Sequence, residues 1–102
     1  MTNPNCSTVV LTMALVPLRQ FGLRSAIVTT LQAVSGAGYP GLPSLDIIGN
    51  VVPFIGGEEE KIETETKKIL GCNKGDWIEP HAITVSAHTT RVPVVNGHTE
   101  MI

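Results

Sequence analysis

The sequence predicts one small α+β domain, and three features carry that prediction: an apolar stretch near the start, a helix with acidic and basic ends in the middle, and two segments rich in β-branched residues. From Thr8 to Leu15 only Thr12 interrupts the apolar run, and Pro17 bars a helix interior from extending far beyond it, so a short buried helix is expected from near Cys6. LRSAIVTTLQAVS then reads as a strand, ended by the glycines and proline of SGAGYPG, which places Gln32 near the end of a buried strand. Residues 36–57 read as a long connection with short apolar runs between Pro40, Pro43 and Pro53, a length that often serves function. EEEKIETETKKILG is the clearest helix. Gly57 is its expected N-cap, acids fill its first turn, Lys67 and Lys68 its last, and Gly71 stops it. Its inward stripe should be Ile62, Thr66, Ile69 and Leu70. ITVSAHTTRVPVV alternates as a second strand, with Pro93 at an edge or irregularity.

Composition narrows the function classes. Apolar residues make up 42% of the 102-residue chain and charged residues 16%, which describes a globular chain with surface hidden against something else. The net charge is −2 and the seven basic residues are scattered, so no patch forms that would neutralise the phosphates of a nucleic acid. No apolar run approaches the roughly 20 residues of a membrane span, and the first residues lack the pattern of a secretory signal. Two cysteines, Cys6 and Cys72, are too few for the disulfide framework of a small secreted domain, and a cytoplasmic setting is expected. No repeat or second domain is visible. Met1 stands five residues before the most reactive-looking side chain, as in an excised fragment.

That side chain is Cys6, in a polar loop at the mouth of the first helix, where free N–H groups and the helix dipole favour a thiolate. Position alone does not separate a nucleophile from a small buried hydrophobe. Cys72, in a polar turn after a helix stop, has only the structural reading. Among the histidines, spacing singles out none. His98 follows Val-Pro-Val-Val and an Asn-Gly turn, at a strand end where an imidazole can face a cleft, whereas His81 reads as a solvated turn residue. His88 and Arg91, three apart on a strand, point to opposite faces. The run Ser35-Gly36-Ala37-Gly38 is glycine-rich, but no helix follows it, so it is not a phosphate-binding loop.

Four segments in order, NPNCST, LQAVSGAGYPGLPSLDI, EEEK and RVPVVNGHTE, resemble the aspartate-semialdehyde dehydrogenase family of the archaeal and fungal type. The resemblance runs from the beginning to the end of the chain. It implies an incomplete catalytic and dimerisation domain over residues 1–102, with a mixed, largely antiparallel sheet and helices packed on one face, like the C-terminal domain of glyceraldehyde-3-phosphate dehydrogenase. It also implies an NADP-binding Rossmann domain that this chain lacks, since no strand, GxGxxG and helix occur in it.

By the same resemblance, Cys6 is the nucleophile, Gln32 holds the substrate and the thioester carbonyl, and His98 is the general acid and base. Arg91 grips the substrate carboxylate, Glu58 meets its amine, Lys61 and Asn5 belong to the phosphate site, and Ser35 and Gly36 lie by the nicotinamide end of the coenzyme. The implied reaction converts β-aspartyl phosphate and NADPH to aspartate semialdehyde, phosphate and NADP, on the way to lysine, threonine and methionine, in a homodimer or tetramer with no metal. The chemistry needs such a set: a soft nucleophile, a proton donor, and opposite charged anchors for an α-amino acid. A chain without the coenzyme domain is expected to be inactive alone. The alternatives are a non-catalytic dimerisation module, an acetylglutamyl-phosphate or CoA-thioester reductase, and a thiol hydrolase. Ser7-Thr8 after the cysteine differ from the aromatic residue and proline of the acetylglutamyl-phosphate enzymes.

Overall fold

A computed structural model describes residues 3–102 and contains the expected elements together with several short ones. Helix α1 spans Cys6–Leu15, and the Asn5 side chain caps it by accepting from the N–H groups of Ser7 (2.9 Å) and Thr8 (3.4 Å). Pro17 does end the α-helix: the chain tightens into a 3₁₀ turn over Val16–Phe21, closed by Gly22 at φ +80°. Strand β1 covers Ser25–Gln32, and a 3₁₀ turn over Val34–Ala37 stops it. The long connection holds only the four-residue helix α2, Ser44–Ile47. Helix α3 is Glu58–Ile69; β2 (Cys72–Asn73) and β3 (Ile78–Glu79) form a small antiparallel pair; β4 is Thr84–Arg91 and β5 is Thr99–Met101.

The main sheet has the order β4-β1-β5 and is mixed. One expectation changes here. The long ladder, Ser25↔Thr84 through Gln32↔Arg91, is parallel, and antiparallel pairing in this sheet is confined to β1 and the short β5. The physical reason is the connection: α3 carries the chain back alongside the sheet between β1 and β4, and only such a crossover returns a strand in the parallel sense.

Helices cover one sheet face. Ala26, Val28, Thr30 and Gln32 of β1 and Val85, Ala87, Thr89 and Arg91 of β4 point into it, in register with one another. Leu11 and Leu15 of α1, Ile62 of α3, and Leu70 and Ile83 beside them complete the core. The stripe of α3 is Ile62, Thr66 and Leu70; Ile69, expected inward, is 44% exposed, because an i, i+4 row turns away from it. The inward rows change character along the strands, from Ala and Val at the start to Thr, Gln and Arg at the end. Polar side chains therefore collect at the C-terminal ends of β1 and β4.

The acids of α3 act as structural acceptors as well as dipole partners. Glu59 accepts from the Thr89 N–H (2.9 Å) and Glu63 from the Ala87 N–H (3.2 Å), on the side of β4 away from β1. Val52 pairs with Arg91 through both backbone bonds on the same side. Three successive N–H groups of a strand edge are thereby satisfied without a further strand.

One acid is placed differently. Glu100 of β5 stands opposite Thr30, and both its oxygens are closed off from solvent with no hydrogen-bond partner. Burial raises its carboxyl above the ordinary glutamate range, and the Ser7 hydroxyl, near but not in bonding geometry, pulls weakly the other way.

Two consequences are measurable by denaturant unfolding. Glu60→Ala removes only an acid from the start of α3, about 0.3 to 1 kcal/mol, whereas Glu59→Ala also strips Thr89 of its acceptor, a further loss of about 1 to 2 kcal/mol; equal midpoints for the two variants contradict the edge-capping role. For Glu100, a raised folded value means that folding is favoured most below the unfolded value and less as pH climbs through the raised one. Glu100→Gln is thus expected to be more stable than the natural chain near about pH 8 and equal to it near about pH 4. A difference that does not change between these conditions contradicts the assignment.

Candidate active site

The parallel register makes Gln32 and Arg91 direct neighbours, 1% and 5% exposed, at the ends of adjacent strands. Gln32 donates from Nε2 to the Thr30 hydroxyl (3.2 Å), which fixes the amide along its own strand. The next residue, Ala33, joins two functional side chains through its backbone. Its carbonyl accepts from Arg91 Nη1 (2.8 Å), and its N–H donates to His98 Nδ1 (3.0 Å). An Nδ1 that accepts assigns the neutral imidazole's hydrogen to Nε2, so His98 holds a proton ready to donate from that atom.

Gly36 closes this group. A β-carbon there would lie 2.8 Å from Arg91 Nη1, 2.9 Å from His98 Cε1 and 3.0 Å from His98 Nε2, so any side chain would push the guanidinium or the imidazole aside. Ser35, beside it, is exposed and bonds through its N–H to the Val95 carbonyl (3.2 Å).

A second group forms where α1 and α3 begin. Asn5, while capping α1, donates from Nδ2 to Glu58 (2.6 Å), and its own N–H donates to Glu65 (2.8 Å). Glu58 also pairs with Lys61 at 3.6 Å, and Lys61 extends into solvent. Cys6, the first residue of α1, is exposed and free.

A cleft of about 370 Å³ is lined by Arg91 and Gly36 of the first group and Glu58 of the second, with Phe54 and Ile55 also in its wall. A cationic and an anionic side chain thus border one space. Lys61, Asn5 and Ser35 do not line it; Ser35 lines a neighbouring cleft of about 300 Å³ with Gly38 and Val95. Cys6, Gln32 and His98 do not line the larger cleft either; α1, which begins at Cys6, packs on β5, which begins one residue after His98.

The other candidates separate from this site. His88 points to the uncovered sheet face, opposite to Arg91, as the spacing requires. His81, expected to be solvated, is half-buried: its N–H donates to the Lys67 carbonyl (2.8 Å) and its Nε2 is closed off without a partner, because the chain after Pro80 turns back onto α3. Cys72 accepts from Arg19 Nη2 at 3.1 Å. Sequence reasoning did not single out Thr30 and Ala33, which bond to Gln32, Arg91 and His98 through a hydroxyl and a backbone and carry no motif. No group of three metal-ligating side chains occurs among the described residues, and no helix is long and apolar enough to cross a membrane.

Comparison with known proteins bears on this geometry. The aspartate-semialdehyde dehydrogenase of Archaeoglobus fulgidus is 56% identical over 101 residues, covering 99% of this chain, and that of Cryptococcus neoformans is 59% identical over 105 residues, covering 96%. The chain spans about 29% of the length of each. The crystal structure of the Candida albicans aspartate-semialdehyde dehydrogenase with NADP superposes with a TM-score of 0.82 at 47% identity, over 94% of this chain and 28% of that one. The aspartate-semialdehyde dehydrogenase II of Vibrio cholerae gives 0.77 at 32% identity, over 96% and 36%. The family model of the semialdehyde dehydrogenase dimerisation domain matches residues 15–102, and on this evidence the chain belongs to the semialdehyde dehydrogenase family, within that domain.

Proposed function

We propose that this chain is the acylating and dimerising part of an NADP-dependent aspartate-semialdehyde dehydrogenase, and the observation that carries the reading is the one cleft that both Arg91 and Glu58 line. An α-amino acid carries opposite charges close together. Arg91 would grip the carboxylate through its planar fork while Glu58 balances the ammonium, and an analogue lacking either group would leave a buried charge unpaired. Phosphate would lie toward Asn5 and Lys61.

With substrate so held, the Cys6 thiolate attacks the acyl carbon of β-aspartyl phosphate, the carbon–sulfur bond forms, and the bond to phosphate breaks. Gln32 orients the thioester carbonyl, and His98 passes the Nε2 proton to the oxygen that develops negative charge. NADPH, held mainly by a Rossmann domain outside this chain, would supply the hydride for the thioester carbon, after which the carbon–sulfur bond breaks, aldehyde leaves and the Cys6 thiolate returns. The residues here would meet only one end of that coenzyme, because the Val34–Ala37 turn leads into no helix and offers Gly36 to this cleft and Ser35 to the neighbouring one. The chain alone would then lack turnover.

The uncovered sheet face supports the dimerising role. Ser25, Ile27, Thr29 and Leu31 of β1, Ser86, His88 and Thr90 of β4, and Met101 of β5 lie outside the helix layer; Ile27 is 68% exposed. A flat face with so little charge is suited to a second copy. Two free thiols accord with a cytoplasmic enzyme, and the pathway would be that of lysine, threonine and methionine.

The test uses the complete protein that carries this chain, assayed for NADP-dependent oxidation of aspartate semialdehyde in phosphate. Cys6→Ser should lower kcat by about a thousandfold or more, and Arg91→Lys should raise KM by about tenfold while leaving the thiol reactive. A Cys6→Ser enzyme with unimpaired turnover would exclude the reading.

A further inference from the structure

The mechanism leaves one buried group without a task. Among the described residues, Glu100 is the only carboxyl whose two oxygens are both shut from solvent and unpartnered. No cation comes to it: Arg91 is engaged with the Ala33 carbonyl, and Lys61 is at the surface with Glu58. Two hydroxyls are close by. Ser7, fully buried at the start of α1, has an unpartnered Oγ. Thr30, paired directly with Glu100 across β1 and β5 and fully buried, accepts from Gln32, which leaves its own hydroxyl hydrogen to donate. A buried carboxyl in this setting is favoured as the neutral acid, which both donates and accepts and so suits two hydroxyls at once. The upward displacement of its titration by burial agrees.

These neighbours are not scattered. Ser7 directly follows Cys6, Thr30 holds the Gln32 amide, and His98 lies two residues before Glu100, in the loop that leads into β5. We propose that Glu100 is a positioning residue for acyl transfer, a neutral carboxylic acid that links the Ser7 hydroxyl at the head of α1 to the Thr30 hydroxyl beside Gln32. It fixes nucleophile, amide and imidazole relative to one another and touches no reacting atom. The proposal rests on the reading of Cys6, Gln32 and His98 as the acyl-transfer group.

The experiment compares Glu100→Ala, Glu100→Gln and Cys6→Ala in the complete dehydrogenase carrying this chain. Displacement of reacting groups by about an ångström lowers rate about a hundredfold, so Glu100→Ala should lose about tenfold to a hundredfold in kcat. KM for aspartate semialdehyde should change less than about threefold, since Arg91 and Glu58 still hold the substrate. Glu100→Gln keeps a neutral donor and acceptor and should recover kcat to within about threefold of the natural enzyme. If Glu100→Ala fails to fold, Ser7→Ala takes its place with the same split expected. Unchanged kcat in the alanine variant, or a glutamine variant as impaired as the alanine one, overturns the proposal. Full turnover by Cys6→Ala would instead overturn the reading beneath it.

Discussion

The parallel register of β1 with β4 is the constraint on which the rest depends. Side chains alternate across a strand, so one register decides at once which residues enter the core and which meet at the strand ends. With Ala26 beside Val85 and Val28 beside Ala87, the inward row begins apolar, and the same register brings Gln32 beside Arg91 at its polar end. A slip of β4 by one residue would expose Val85 and Ala87 and send Arg91 out to the opposite face. Core and site are two ends of one ladder.

Helix α3 holds that ladder in place from outside. It supplies Ile62, Thr66 and the adjoining Leu70 to the core, and Glu59 and Glu63 cap strand N–H groups that a fourth strand would otherwise have to meet. Its first residue, Glu58, receives the Asn5 amide and so ties the head of α1, with Cys6, to the same helix. Because Glu58 also lines the cleft that Arg91 lines, the helix that braces the sheet contributes a side chain to the candidate site. The backbone of Ala33 does the corresponding work on the other side, joining Arg91 and His98 through one residue.

Much of this was legible in the sequence, because the signals were local. The boundaries of α1 and α3 follow from an N-cap side chain, a proline and flanking glycines, and the alternation of β4 correctly separates His88 from Arg91. What was illegible depended on chain pairings at long range. The parallel sense of β1 and β4, the outward turn of Ile69 and the folding of His81 against α3 are set by how elements dock, which no local pattern records. The candidate site residues Cys6, Gln32, Glu58, Arg91 and His98 came from motif resemblance, whereas Ala33, which bonds to Arg91 and His98 through its backbone, and Glu100, whose role is a proposal, carry no motif at all.

The central claim is that these strand ends and helix starts form an acyl-transfer site with Cys6 as its nucleophile, and its most direct measurement needs no coenzyme. Intact β-aspartyl phosphate is added to the complete protein without NADPH, the mixture is quenched in acid, and the cysteine peptides are weighed by mass spectrometry. The account predicts an aspartyl group on Cys6, removable by hydroxylamine, with release of phosphate and no modification of Cys72. An unmodified Cys6, or acylation of both thiols alike, would contradict it.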